Sequence, residues 1–262
     1  MKVVLFAGGQ GIRIREYSEK VPKPMVPVGY RPILWHNMKY YAHFGHTDFI
    51  LCLGHQADVI KQYFLRYDEC ISNDFVLDGG DRGVQLMSSD IHDWRITFAD
   101  TGLHANIGQR LMAVRQYVGS DEMFLANYGD VLSNAPLNEF IEEFRSSGHI
   151  AAFLSVRPSY SFHIVATTAD GRVQDIEPVA ESDIWLNGGF FIFRREIFDY
   201  IYPGDELVEE PFRRLIADGR LMTFRYGGFW APMDTIKDQQ SLEDLFNSGR
   251  PPWALWSPGS RD

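Results

Sequence analysis

Five short apolar runs, separated mostly by segments of helical period, most limit what this chain can become. They lie at Val3 to Phe6, Phe49 to Leu53, Ile96 to Ala99, Met123 to Asn127 and Ala151 to Val156. Runs this short, apolar on both faces and spaced by helices, are the pattern of strands buried in a mainly parallel sheet. The intervening stripes agree. Leu137, Phe140, Ile141 and Phe144 fall at i, i+3, i+4 and i+7, and Leu34, Met38 and Tyr41 mark a second amphipathic face, so each segment is expected to lay one side on the sheet. These aromatics are read as packing residues.

After Val156 the texture changes to strand-like pieces punctuated by turns: Phe162 to Thr167, Asp170-Gly171, Val173 to Ile176, then Gly188-Gly189 before Phe190 to Phe193. This half is expected to be an antiparallel or mixed extension. Helices are predicted over Val208 to Ala217, stopped by Asp218-Gly219, and over Ile236 to Phe246, stopped by Ser248-Gly249 and Pro251-Pro252. The tail Trp253-Ala254-Leu255-Trp256 carries too much aromatic surface to stay in water, and is expected to dock on the body or on another subunit.

Composition removes several classes. With 45% hydrophobic and 14% aromatic residues, the 262 residues can bury one large core. No run approaches the roughly 20 apolar residues of a membrane span, and Met1 to Phe6 is too brief for a signal-peptide core, so a cytoplasmic protein with no membrane partner is expected. A formal charge of −10 argues against a nucleic-acid surface, which needs clustered Lys and Arg. Cys52 and Cys70 have no zinc-like spacing and are read as free thiols.

The first strand opens into Ala7-Gly8-Gly9-Gln10-Gly11-Ile12-Arg13-Ile14-Arg15. Such a loop sits at the carboxyl end of a strand, where open α/β sheets bind ligands, and consecutive glycines let backbone N–H groups approach phosphates. A dinucleotide fingerprint fails because Ile14 stands where the third glycine belongs and Gly54-His55 lacks the ribose-binding acid; a P-loop fails for want of Gly-Lys-Ser/Thr. Pro22 and Pro24 stiffen the backbone around Lys23 and keep it out of helix, which suits a charged side chain to phosphate recognition.

At this point the chain resembles the sugar-1-phosphate nucleotidyltransferases, whose signature runs Gly-Gly-x-Gly-Thr-Arg-Leu through Pro-Lys-Pro. Further along it is similar to the glucose-1-phosphate cytidylyltransferase branch. The shared features are Pro32-Ile33-Leu34-Trp35-His36, Asp100-Thr101-Gly102, Arg110-Leu111, Tyr128-Gly129-Asp130, Asn187-Gly188-Gly189-Phe190-Phe191, Gly228-Phe229-Trp230, Pro232-Met233-Asp234-Thr235, Pro252-Trp253 and Trp256. The resemblance implies a Rossmann-like three-layer α/β core with a mainly parallel mixed sheet and a smaller acceptor-binding lobe. It implies one domain over 1–262, with a nucleotide-binding core at 1–156. The remainder, 157–262, would form the acceptor-binding lobe with the second metal ligand and the C-terminal helix.

The implied reaction moves a nucleoside monophosphate, CMP from CTP by preference, onto a sugar 1-phosphate, glucose 1-phosphate by default, and releases pyrophosphate. Such a step brings two anions together, so the enzyme must chiefly neutralise charge and align groups. By resemblance Asp130 and Asp234 bind Mg2+, and Arg13 and Lys23 contact the reacting phosphates. Gly8, Gly9, Gly11, Arg110 and Gly129 hold the nucleotide, and His163, Glu177, Asn187 and Gly188 face the acceptor. A homo-oligomer is expected. From the residues alone, Asp130 also reads as a turn acid and Asp234 as an ordinary helix cap. No side chain is needed as nucleophile, so His36, His55 and Glu177 need no role as bases.

The match breaks in places. Ile12 replaces the threonine of Gly-Thr-Arg, Gln109 and Val131 replace glycines, and Asn134 an aspartate. Around the acceptor, His163 replaces a glycine, Ser161 an arginine, and Pro178 the lysine that would clamp the sugar phosphate. A charged hydrogen bond contributes about 1.5 to 3 kcal/mol, so these changes point to a different small phosphate or phosphonate acceptor, or to a weakly active nucleotide-binding homologue. Arg157 is the candidate for a displaced positive charge. A glycosyltransferase is disfavoured because Asp130-Val131-Leu132 is not an Asp-x-Asp motif.

Overall fold

The computed structural model describes residues 1–9, 21–80, 82–158 and 162–257. Gly11 and Arg13, with Ile12 and Ser161, lie outside the described residues. The five expected strands form at β1 (Lys2–Phe6), β2 (Asp48–Leu53), β3 (Arg95–Asp100), β4 (Met123–Tyr128) and, after the short strand β5 (Val131–Ser133), β6 (Ala151–Val156). Beyond them come β7 (His163–Thr167), β8 (Val173–Pro178), β9 (Leu186–Asn187), β10 (Phe191–Arg194), β11 (Leu221–Tyr226) and β12 (Trp230–Pro232). The central sheet runs β3-β2-β1-β4-β10-β6-β11, and β9 extends the edge that β10 makes with β6. Pairs β1·β2, β2·β3, β1·β4 and β6·β11 are parallel, whereas β4·β10 and β6·β10 are antiparallel. The sheet is therefore mixed and mainly parallel, as expected.

Alternation along β1 shows why the sheet is covered on both faces. Val3 and Leu5 join a core with Leu34, Met38, Ile60 and Phe140, whereas Val4 and Phe6 join another with Leu111, Val118, Phe212 and Leu215. One face is thus packed by helices α1 (Ile33–His43), α2 (Ala57–Leu65) and, after α3, α4 (Leu137–Ser147). The other is packed by α3 (Ile107–Ala113) and α5 (Glu210–Ala217). This gives three layers. Helix α5 starts two residues later than the predicted Val208, with Pro211 in its first turn.

The expected lobe at 157–262 does not stand apart as one body. Strands β9, β10 and β11 return to the central sheet, whereas β7 and β8 form a separate hairpin and β12 pairs outside that sheet with β5 of the first half. Strand β11 was not anticipated from the sequence. Its Leu221-Met222-Thr223-Phe224-Arg225-Tyr226 pairs with the whole of β6. Helix α6 (Ile236–Asn247) closes the structure, and its N-cap is Thr235, which forms a reciprocal capping box with Asp238. Among the described residues no helix is long and apolar enough to cross a membrane. Both cysteines are free, Cys52 buried and Cys70 partly so.

The C-terminal aromatics dock on the chain's own body. Trp253 is fully buried in a cluster with Val28, Ile33, Met233 and Leu242, and its Nε1 donates to His36 Nδ1 at 3.3 Å. The other imidazole nitrogen, His36 Nε2, donates to the Val28 carbonyl at 2.8 Å. This pair of partners needs a neutral ring, since an added proton on Nδ1 would face the indole N–H. Burial accordingly pushes His36 down to about 4, despite its backbone carbonyl contacts. The folded pKa lies below the unfolded value of about 6.5, so the contribution is complete above about pH 6.5 and is lost as pH falls towards 4. The difference corresponds to about 3 kcal/mol. Urea denaturation of native protein and His36→Gln at pH 7 and pH 5 should show a shallower acid loss in the variant. Equal slopes would contradict the assignment. His46, held beside the N-terminal amine and also near 4, supplies acid sensitivity that both proteins retain.

Candidate active site

The carboxyl ends of β1 and β4 open into a cleft of about 390 Å³, within the size range of small-molecule sites. Among the described residues Gly8 and Gly9 line it, together with the apolar Phe6, Ala105 and Ile107. Lys23, Asp130 and Asp234 line the same cleft.

Lys23 is held as the stiff loop predicted, although the prolines permit one 3₁₀ turn, Lys23–Met25, closed by Met25 N–H donating to the Pro22 carbonyl at 2.7 Å. Its Nζ lies 2.6 Å from Asp130 Oδ2 and 2.6 Å from Asp234 Oδ1, with only 12% of the lysine side chain exposed. Burial alone would lower the ammonium's pKa, but the two carboxylates outweigh it and raise it, so the lysine stays charged. Two carboxylates from distant parts of the chain thus converge on one cation.

Register explains the convergence. Strand β5 follows Asp130 directly and pairs with β12 antiparallel, Val131 opposite Pro232. Met233 N–H then donates to the Asp130 carbonyl at 3.0 Å, which places Asp234 beside Asp130. The reading of Asp234 as a helix cap fails, because Thr235 and Asp238 make the cap. Asn134 has work outside the cleft: its Oδ1 accepts from Phe229 N–H at 3.0 Å and from the Tyr226 hydroxyl at 2.5 Å, which ties β5 to β12.

Arg110, expected to touch the nucleotide, lines the cleft but is only 3% exposed, and its guanidinium is held mainly by backbone carbonyls. Nη2 donates to the Gly8 carbonyl at 3.0 Å, while Nη1 donates to Gly102 O at 3.0 Å, Leu53 O at 3.2 Å and Thr101 Oγ1 at 2.7 Å. Its geometry is that of a brace under the glycine loop. A Cβ on Gly8 would come within 2.3 Å of Arg110 Nη1, so glycine is needed there for close approach rather than for turn geometry. Gln109, where the resemblance had glycine, completes a capping box with Asn106 at the start of α3. Gly129 N–H donates to the carbonyl of Phe6, a lining residue of the cleft, at 3.1 Å.

The acceptor residues named from the sequence are not all brought together. His163 and Glu177 lie on the β7·β8 hairpin, His163 opposite Pro178, and both are exposed. Neither lines the cleft. Gly188 is buried, its carbonyl accepting from Trp230 Nε1 at 2.8 Å, so it serves packing. Asn187 hydrogen-bonds the Tyr128 side chain, whose hydroxyl burial pushes up to about 12, and Tyr128 lines the cleft. Glu206, which carried no motif, also lines the cleft; its Oε2 accepts from Ile107 N–H at 3.4 Å, and burial raises its pKa.

The chain matches the nucleotidyl transferase family over residues 2–231. It belongs to that family. "Glucose-1-phosphate cytidylyltransferase" of Salmonella typhimurium (strain LT2) is 36% identical over 258 residues, covering 98% of this chain and 100% of that protein. "Probable glucose-1-phosphate cytidylyltransferase" of Bacillus subtilis (strain 168) is similar to the same extent. Among solved structures, a UDP-glucose pyrophosphorylase complexed with UDP-glucose superposes with a TM-score of 0.68 at 12% identity, over 95% of this chain and 99% of that one. This last likeness shows the Rossmann-like nucleotidyltransferase fold.

Proposed function

We propose that this nucleotidyltransferase transfers CMP from CTP to a sugar 1-phosphate, with glucose 1-phosphate the default acceptor, and releases pyrophosphate. The observation that carries the reading is the Asp130–Lys23–Asp234 cluster lining one cleft with Gly8 and Gly9. The names of the two bacterial relatives supply the choice of CTP and glucose 1-phosphate. An acceptor phosphate oxygen attacks the α-phosphorus, the bond from that phosphorus to the bridging oxygen breaks, and pyrophosphate carries away the electron pair. The transfer is direct, and no residue need carry the nucleoside monophosphate.

The donor set suits Mg2+. The ion takes oxygen ligands and is usually held by one or two carboxylates plus substrate phosphates, and here two carboxylates already converge on a cation, Lys23 Nζ. Asp130 and Asp234 would hold Mg2+, which neutralises phosphate charge when bound. Lys23 and Arg13 would then contact phosphate oxygens. Gly8, Gly9 and Gly11 would bring backbone N–H groups to the nucleotide, Arg110 would hold that loop in shape, and Gly129 would hold Phe6 in place. Asn187, through Tyr128, would meet the acceptor. The proposal includes a cytoplasmic, self-associating enzyme.

The test is a matrix of CTP, UTP, GTP, ATP and dTTP against glucose 1-phosphate and other small phosphates, read by pyrophosphate release with and without Mg2+. Turnover with CTP, abolished by chelation, is expected. Pyrophosphate release with another triphosphate and none with CTP would overturn the donor assignment.

A further inference from the structure

At one edge of the central sheet two arginines meet on one tryptophan. The Arg157 guanidinium lies 5.2 Å from the Trp185 ring centre and that of Arg225 lies 5.1 Å from it. Both arginines are exposed at their outer ends, and among the described residues neither is ion-paired, unlike Arg194 and Arg214. Arg157 is held in place by Nη1 donating to the Ser182 carbonyl at 2.8 Å. Two like charges gathered on one ring repel each other, and an anion between them would relieve that repulsion.

Strand register links this cluster to the cleft. Ser155 is opposite Asn187 on one side and Arg225 on the other, and cross-strand partners share a face. Arg157 follows the end of β6 and Trp185 precedes β9, and the contact of the Arg157 and Arg225 side chains with the Trp185 ring sets them at the end of that face. It is the face on which Ala151 and Phe153 pack with Phe6 and Tyr128. Asn187 reaches the Tyr128 side chain, which lines the cleft. A molecule reacting at Asp130 and extending past Tyr128 and Asn187 would meet the arginines with its far end.

We propose that Arg157, Trp185 and Arg225 form a subsite for a second oxyanion on the acceptor, remote from the reacting phosphate, so that the favoured acceptor is an anionic sugar phosphate. The inference rests on the nucleotidyl-transfer reading. It gives the positive charge that Pro178 fails to supply a different position and a different purpose. The oxyanion is a carboxylate or a second phosphate.

The experiment compares glucose 1-phosphate, glucose 1,6-bisphosphate and glucuronic acid 1-phosphate as acceptors, using the triphosphate that supports turnover. At least one doubly anionic acceptor should exceed glucose 1-phosphate in kcat/KM by about tenfold or more, and which one does so distinguishes phosphate from carboxylate. The double variant Arg157→Gln, Arg225→Gln should bring that ratio close to one. Arg172→Gln, paired with Asp170 on the hairpin turn, should keep it. Equal use of all three acceptors by the native enzyme, or an undiminished ratio in the double variant, overturns the subsite. Should no acceptor be turned over, the transfer reading fails separately. Calorimetric binding of glucose 1,6-bisphosphate against glucose 1-phosphate, each in the presence of CTP, then decides the subsite by the same tenfold criterion.

Discussion

Asp130→Asn and Asp234→Asn are each expected to lower kcat/KM by about two orders of magnitude or more, with the melting temperature changed by only a few degrees. An amide keeps the size of the side chain but removes one charge from a site whose purpose is to gather phosphates. Losing one preorganised electrostatic contact at a reacting centre typically costs about a hundred- to a thousandfold. The fold should survive because Lys23 keeps its other carboxylate in either variant, and because Asp234 is not the cap of α6. A second readout separates charge from packing. Mg2+ with CTP should raise the melting temperature of the native protein, and of neither variant to the same extent. Near-native rates for both variants at limiting Mg2+ would sink the metal assignment.

Trp253→Ala should cost about 3 to 5 kcal/mol, the usual range for emptying a buried aromatic site, and lower the melting temperature by roughly 10 °C. Trp253 is fully buried and packs on Phe229 with ring centres 5.7 Å apart. Its removal also leaves His36 Nδ1 without the N–H it accepts from, and an unpaired buried acceptor adds to the penalty. Trp253→Phe should recover part of the loss through packing and none of the hydrogen bond. Chemical denaturation of the three proteins measures this. A loss under about 1 kcal/mol for the alanine variant would mean that the tail adds nothing to the fold. The effect should reach the active site, since the same cluster holds Met233, next to Asp234.

Much of this protein was legible from local pattern. The strands at β1, β2, β3, β4 and β6, and helices α1, α4 and α6, follow from apolar period and stop signals that each act over a few residues. Lys23 between two prolines could be singled out because backbone stiffness is a local property, whereas Asp130, which also reads locally as a turn acid, was singled out by family resemblance. The sequence alone did not yield β11. Met222-Thr223-Phe224-Arg225-Tyr226 does alternate apolar with polar, but the run is short and follows a helix stop, and it is pairing along the whole of β6 that makes it a strand of the central sheet.

Arg110 shows the same boundary from the other side. Family resemblance singled it out, and burial set its partners: with its guanidinium beside Gly8, four backbone carbonyls and one hydroxyl oxygen accept its hydrogen bonds. His163 and Glu177 were grouped by motif with Asn187, yet pairing within a separate hairpin carries them away from the cleft lining. The meeting of Lys23 with Asp130 and Asp234, and of Arg157 with Trp185 and Arg225, depends on which strand lies next to which. Local sequence sets the type of each element and the side chains it offers. The pairing of distant segments, driven by burial and by the need to satisfy every buried backbone group, set which charges share a site.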